Sequence, residues 1–258
     1  MAADPIVYTP TLQYLKARRG NPVFGLHDIF NNIAVSKWED DFMGDLFKGG
    51  AAPGAYQSTA SGAASATAAI VAGTVNGAIL LDAGTDNSGR SDLSLGRHFR
   101  GDLNATLIVR ASIDTITTSK FEVGFTDVIS GTDAGAVNVK ATPSFTADDF
   151  VGLVRDTNDD TNVTLLGVAA TVAAAAIDMT TTIAAATYYY YGVTLRDTNA
   201  KGFILDANGN LIEQTAWMAN AVTGTVLLTP WIFFQNRSAA AHAMTVDYLL
   251  AYQRRTTG

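Results

Sequence analysis

Carboxylates are the residues in this chain best placed for chemistry. Hydrolysis of a glycosidic bond needs two carboxyl groups across the scissile bond, roughly 5 Å apart for retention and up to about 9.5 Å for inversion. The sequence holds only three glutamates, Glu39, Glu122 and Glu213. Glu122 alternates against Phe121 and Phe125, which aims it at the open face of a sheet, but no acidic residue lies two positions away. A second group, Asp156-x-Asn158-x-Asp160, imitates the start of a calcium loop. Thr161 stands where the sixth-position glycine belongs and Gly167 where the bidentate glutamate belongs, so the EF-hand reading fails. A different calcium geometry, here or at Asp82-Ala-Gly-Thr-Asp86, stays open beside the preferred reading of a solvated loop rich in Asx turns. Asp206-Ala-Asn-Gly-Asn210 reads as a plain hairpin connection. His27, His98 and His242 are isolated, and no nucleophile elbow, phosphate loop or dinucleotide fingerprint occurs. Tyr188 and Tyr190 share a strand face and could stack on a sugar or a neighbouring subunit. Half-buried strand residues are the preferred reading of both.

The elements that must position these groups alternate with period two, the mark of β-strands. Tyr189, Tyr191, Val193 and Leu195 define one face of 188–196, with Tyr188, Tyr190, Gly192, Thr194 and Arg196 on the other. In 104–113, Leu107, Val109, Ala111 and Ile113 oppose Thr106, Ile108, Arg110 and Ser112. This segment and 121–127 read as paired core strands. Segments 149–155 and 162–168 read as two more strands. In 244–252 unbroken alternation puts Met244, Val246, Tyr248, Leu250 and Tyr252 together. The run 226–234 is apolar at nearly every position and demands burial on two sides, which predicts two packed sheets. The Ala-rich tract 169–176 is expected to be strand or irregular, and 49–76 to hold short strands among loops.

Residues 1–37 read differently. Thr9-Pro10, then Leu12, Tyr14 and Leu15, basic Arg18 and Arg19, and Gly20 predict one short helix. Asn21-Pro22 opens a second possible turn carrying Phe24 and Phe30. Helices this short are marginal alone, so Leu12, Tyr14, Leu15, Arg18, Arg19, Phe24 and Phe30 form a candidate interface with the body or another subunit. The predicted organisation is an arm, 1–37, and a β-sandwich domain, 38–258, opened by Trp38, Phe42 and Phe47. The 258 residues carry a net charge of −7. Lys16, Arg18, Arg19 and Lys37 against Asp4 and Asp28 give the arm +2, leaving −9 on the body. A basic arm suits an acidic partner surface; equally, its charges keep it solvated. With no cysteine, neither disulfides nor thiolate metal sites hold the fold. The N-terminus lacks a secretory pattern, and the tract 168–177 is too short to span a bilayer, so cytoplasmic synthesis, no membrane insertion and no nucleic-acid partner are expected.

In order, the Trp38-x-x-Asp-Phe42 opening, Phe121-x-x-Gly-Phe-x-Asp127, Tyr189-x-x-Gly-Val193, Gly202-Phe-Ile-Leu-Asp-Ala-Asn-Gly209, Leu228-Thr-Pro-Trp231 and Val246-Asp-Tyr248 resemble the concanavalin A-like jelly roll of lectins and laminin-G-like modules. The resemblance covers about 38–253. With a cysteine-free, Ala/Thr/Gly-rich body and an arm, it is similar to modules of tailed-bacteriophage virion proteins, most of all capsid decoration proteins. It implies an all-β, two-sheet antiparallel sandwich with an arm of one or two short helices. The implied role is non-enzymatic, on the exterior of a capsid. The implied partners are the major capsid protein or another virion protein and sister copies, a trimer among the arrangements. No cofactor is implied beyond the calcium that some relatives bind. A glycan-recognising tail-fibre or receptor-binding protein is the alternative, and a polysaccharide-degrading enzyme a weaker one. Glycosidases of this fold place Glu-x-Asp-x-Glu along one strand, and that pattern is absent here.

Overall fold

The computed structural model describes residues 35–42, 56–63, 66–71, 77–128 and 135–255. They form two antiparallel sheets packed face to face, and no helix occurs among them. Sheet A contains β1 (Val35–Asp40), β3 (Thr67–Ile70), β4 (Ile79–Asp82), β6 (Thr106–Ile113), β14 (Tyr189–Arg196), β15 (Asn199–Leu205), β16 (Leu211–Gln214) and β18 (Ala243–Arg254). Its order is β16-β15-β14-β6-β18-β4-β3, and β1 joins the half of β18 that β4 leaves uncovered. Sheet B contains β2 (Ala60–Ser61), β5 (Arg90–Ser94), β7 (Ser119–Thr126), β10 (Phe150–Asp156), β11 (Thr164–Ala169), β12 (Val172–Ala173), β13 (Ile177–Asp178) and β17 (Thr229–Asn236). Its order is β12-β11-β10-β7-β17-β5-β2, with β13 also on β11. A small ribbon, β8 (Val137–Val139) with β9 (Ser144–Phe145), stands apart from both.

Side-chain period decides the interior. Leu107, Val109 and Ala111 of β6 and Tyr191, Val193 and Leu195 of β14 meet Phe121, Val123, Phe125, Leu153, Ile232 and Phe234 of sheet B. The Phe121 and Tyr191 rings lie 5.2 Å apart across the two layers. Every residue of β17 is buried, as its apolar run requires. Ile232 and Phe234 enter this core, whereas Trp231 and Phe233 belong to a second cluster on the opposite face. β6 and β7 are core strands but do not pair: β6 lies between β14 and β18, and β7 between β10 and β17. Strand pairing is a long-range choice that periodicity does not specify. The Ala-rich tract forms a hairpin, its two loop residues Ala170 and Thr171 both at positive φ (46° and 71°) as a tight strand reversal needs.

The closing strand departs from the simple alternation. Val246 pairs with Ala111 and Tyr248 with Arg110, so Asp247 is an extra residue, a β-bulge. Met244, Val246, Leu249 and Ala251 point into the main core, while Tyr248 and Leu250 lie in a cluster on the outer side of sheet A, with Tyr252 packed against it. The single face expected for Met244 to Tyr252 is therefore split in two. Removing Asp247 restores regular alternation without moving either half of β18 relative to β6. The single-residue deletion is expected to fold, losing about 1–3 kcal/mol through its ion pair with Arg110. Chemical denaturation would check this, and failure to fold would show that the bulge itself sets the sheet's shape.

β1 starts at Val35, so Val35, Ser36 and Lys37 of the expected arm pair with Arg254, Gln253 and Tyr252. Asp40 accepts hydrogen bonds from the Phe42 amide (2.6 Å) and the Tyr56 hydroxyl (2.9 Å), and Trp38 Nε1 donates to that hydroxyl (3.0 Å). Burial pushes the Tyr56 phenol well above its usual 10. Trp38 and Phe42 thus anchor the opening of the domain; Phe47 lies outside the described residues.

Candidate interaction surface

Two outward sheet faces carry the residues singled out above, and they are built differently. On sheet B, Glu122 does lie opposite Phe121, but its face is covered, not open. Gly135 to Asp149 crosses over it, and Ala136, Val137 and Ala147 pack with Phe150, Val154, Leu166, Trp231 and Phe233. Glu122 and Lys120 are both fully buried, with Lys120 Nζ 2.9 Å from Glu122 Oε1. The same carboxylate accepts hydrogen bonds from Trp231 Nε1 (2.8 Å) and the amides of Ala136 (2.9 Å) and Val137 (3.1 Å). Lys120 also donates to the Val137 carbonyl and lies 5.3 Å from the centre of the Phe233 ring. Gly135 (φ +80°) lets the covering segment approach; a Cβ there would lie 2.6 Å from Glu122 Oε1. Buried charge is tolerated only when paired and hydrogen-bonded, and here the bonds to the Ala136 and Val137 amides and to the Val137 carbonyl also tie the covering segment to sheet B. Sequence reasoning missed this role because Lys120 and the amides at 136–137 are joined to Glu122 only in space.

The aspartate loop is tied down in the same way. Asp156 pairs with Arg237 through Nε (2.8 Å) and Nη2. Asp160 pairs with Lys140, and Asp159 caps the amides of Lys140 (2.8 Å) and Ala141 (2.9 Å). Asx turns run from Asp156 to Asn158 and from Asp160 to Asn162. Lys140 follows β8, so this loop fastens the cover over Glu122. Asp82 closes an Asx turn with Gly84, and Asp206 organises the β15–β16 hairpin through the amides of Asn208 and Asn210. His242 hydrogen-bonds Thr118 and Ser238, and His98 is exposed. His27 lies outside the described residues. Among the described residues, no group of three metal-ligating side chains is assembled.

The outer side of sheet A carries a buried cluster of rings. Tyr190 and Tyr248 meet edge to face (6.4 Å, 75°) beside Ile108, Phe203, Leu205 and Leu250. Arg110 pairs with Asp247 and lies 4.3 Å from the centre of the Tyr188 ring and 5.8 Å from that of Tyr190. Burial, with the Asp247 charge adding to it, holds the Tyr188 phenol above its usual range. Tyr248 donates to Glu39 (2.9 Å), which also pairs with Lys37 (2.7 Å). These rings pack as a buried cluster edged by paired charges, with Tyr188 and Tyr252 half-buried beside it. Tyr188 and Tyr190 fall where alternation put them. Arg110, Tyr248 and Phe203 were not recognised as their companions, because three other strands bring them there. Leu12, Tyr14, Leu15, Arg18, Arg19, Phe24 and Phe30 lie outside the described residues.

Phe203 covers Gly192, where an added Cβ would come within 2.1 Å of its ring. Gly192→Ala should therefore destabilise by about 1–3 kcal/mol through overpacking. Phe203→Leu should relieve part of that cost, and thermal melts of the single and double variants would test the pair.

No protein-family model matches the chain, and no curated protein matches it in sequence. Solved structures define the fold class: an all-β, concanavalin A-like jelly-roll sandwich. A protein of unknown function, SO2946 from Shewanella oneidensis, superposes with a TM-score of 0.60 at 13% identity over 99% of this chain and 98% of its own. Peanut lectin gives 0.55 at 11% identity over 86% and 99%. The CBM2 module of an evolved Dit from Lactobacillus casei phage J-1 gives 0.50 at 10% identity over 87% and 98%.

Proposed function

We propose that this chain is a non-enzymatic structural module of a phage virion, decorating the capsid exterior through its N-terminal segment and contacts between copies. The observation that carries the non-enzymatic part is Glu122. It stands on a central strand of sheet B, the position from which a carboxyl could serve a glycan in an open cleft, yet it is fully buried, paired with Lys120 and committed to three further hydrogen bonds. A general acid must reach its substrate, and this one holds down a covering segment instead. Fold-level likeness to a phage module and the resemblance of the sequence to decoration proteins support the virion setting. Fold-level likeness to peanut lectin favours a second reading, glycan recognition by a tail or receptor-binding protein.

Immunogold labelling of the virions that carry the protein separates these readings. Decoration gives many copies spread over the head. Label confined to the tail, with binding on a glycan array, replaces decoration by the glycan-binding reading, and virions without label overturn both.

A further inference from the structure

Sheet B ends on an edge that carries almost no charge. Its last strands, β12 and β13, hydrogen-bond to β11 and, among the described residues, to no other strand. Residues 162–187, which contain this edge, hold one charged side chain, Asp178, although 16% of the whole chain is charged. That carboxylate accepts a hydrogen bond from Thr164 Oγ1 (2.7 Å). Val172 is 69% exposed, more than any other large apolar side chain among the described residues, and Ala170, Ala173, Ala175 and Ala176 are exposed beside it. Exposed strand edges are ordinarily guarded by lysine, proline or inward-pointing charge. Residues 162–187 contain no lysine, arginine or proline.

The strip is also held in shape. The amides of Thr171, Ala174 and Met179 donate to the carbonyls of Asp148, Gly167 and Val163 (2.9, 2.9 and 2.8 Å), and Glu213 accepts from the amides of Thr180 (2.9 Å) and Thr181 (2.7 Å). Such a surface loses little freedom when something docks on it. Charge selects the partner. Outside residues 1–37 the chain carries −9, so two copies repel one another on most approaches and least where both surfaces are uncharged. A partner recognised by its own positive charge would seat on the acidic faces instead. An edge is moreover self-complementary about a two-fold axis, since each copy offers the same strand running the opposite way. One extra residue between Ala173 and Ile177, relative to β11, bends the edge and favours contact through side chains over main-chain bonding between copies.

We propose that residues 170–178 of two copies meet edge to edge about a two-fold axis, with Val172 and the exposed alanines forming the contact. The proposal rests on the contacts between copies that the virion reading calls for, and it names their surface. Residues 172–178 span about 23 Å, which places the contact at the small, transient end of protein interfaces. The pairing is therefore reversible in solution and strengthens where copies are held at high local density.

Sedimentation of the full-length protein from about 1 μM to about 1 mM should show reversible passage from monomer to dimer. Over the same range, hydrogen exchange should slow at the amides of residues 170–178. Val172→Asp, which sets a carboxylate of each copy into the contact, should weaken the dimer about tenfold or more with an unchanged melting curve. Ile70→Asp, on β3 at the far end of sheet A and 40% exposed in the wild type, should leave the dimer intact. A protein that stays monomeric throughout, exchange that does not respond at 170–178, or a dimer abolished by Ile70→Asp and not by Val172→Asp would overturn the proposal. If Val172→Asp fails to fold, Ala175→Asp takes its place, and the wild-type exchange result stands without either. Label on virion heads with a monomeric protein removes this proposal alone, whereas a dimer through this strip in a protein absent from virions removes the virion reading alone.

Discussion

Glu122→Ala is expected to lower stability by about 3–5 kcal/mol, the cost of stranding one partner of a buried ion pair. For a domain of this size that corresponds to a fall in Tm on the order of 10 °C. Lys120 would lose its carboxylate partner in an apolar site against Phe233, and the Trp231, Ala136 and Val137 donors would each lose an acceptor. The double variant Lys120→Met/Glu122→Leu removes both charges and should recover part of the loss. Recovery stays incomplete because the three donors remain unanswered. Proteolysis should locate the damage: cleavage within 135–149 should accelerate before the sandwich itself opens. A Glu122→Ala protein melting within about 2 °C of wild type would remove the structural role and return Glu122 to consideration as a reactive carboxyl.

Leu249→Asp should destabilise as severely as Val246→Asp, each by about 4 kcal/mol or more, because both place an unpaired carboxylate in the main core. Val246 is completely buried there and Leu249 is 1% exposed. Uninterrupted alternation would put these two residues on opposite faces; the bulge at Asp247 puts them on the same one. Equilibrium denaturation of the two variants reads the bulge directly. A mild Leu249→Asp beside a severe Val246→Asp would mean that β18 runs without it.

The two results bear on different levels of the molecule. The first tests whether the face of sheet B is structural cover or a disguised cleft, on which the non-enzymatic reading depends. The second tests how β18 divides its side chains between the main core and the outer side of sheet A.

What the sequence determined by itself is what local geometry controls. A strand's side chains alternate whatever it pairs with, so the inner and outer faces of β6 and β14 followed from their residue types. The apolar run of β17 announced burial on both sides for the same reason. Turn chemistry is equally local: Asp206 to Asn210 closes its hairpin with hydrogen bonds that span at most four residues. The aspartates at 156 and 160 form Asx turns as their types suggest, but Arg237 and Lys140, which tie them down, lie 81 and 20 residues away.

Tertiary structure decided the rest because it depends on partners distant in the chain. Nothing in Val246-Asp-Tyr248 marks Asp247 as the extra residue; only pairing against the regular β6 reveals it. Nothing local sends β6 and β7 to opposite sheets. Glu122 read as a carboxylate on an open face until Trp231, 109 residues later, and a glycine-led cover closed over it. Period two states which way a side chain points, but only the assembled layers state whether water is there.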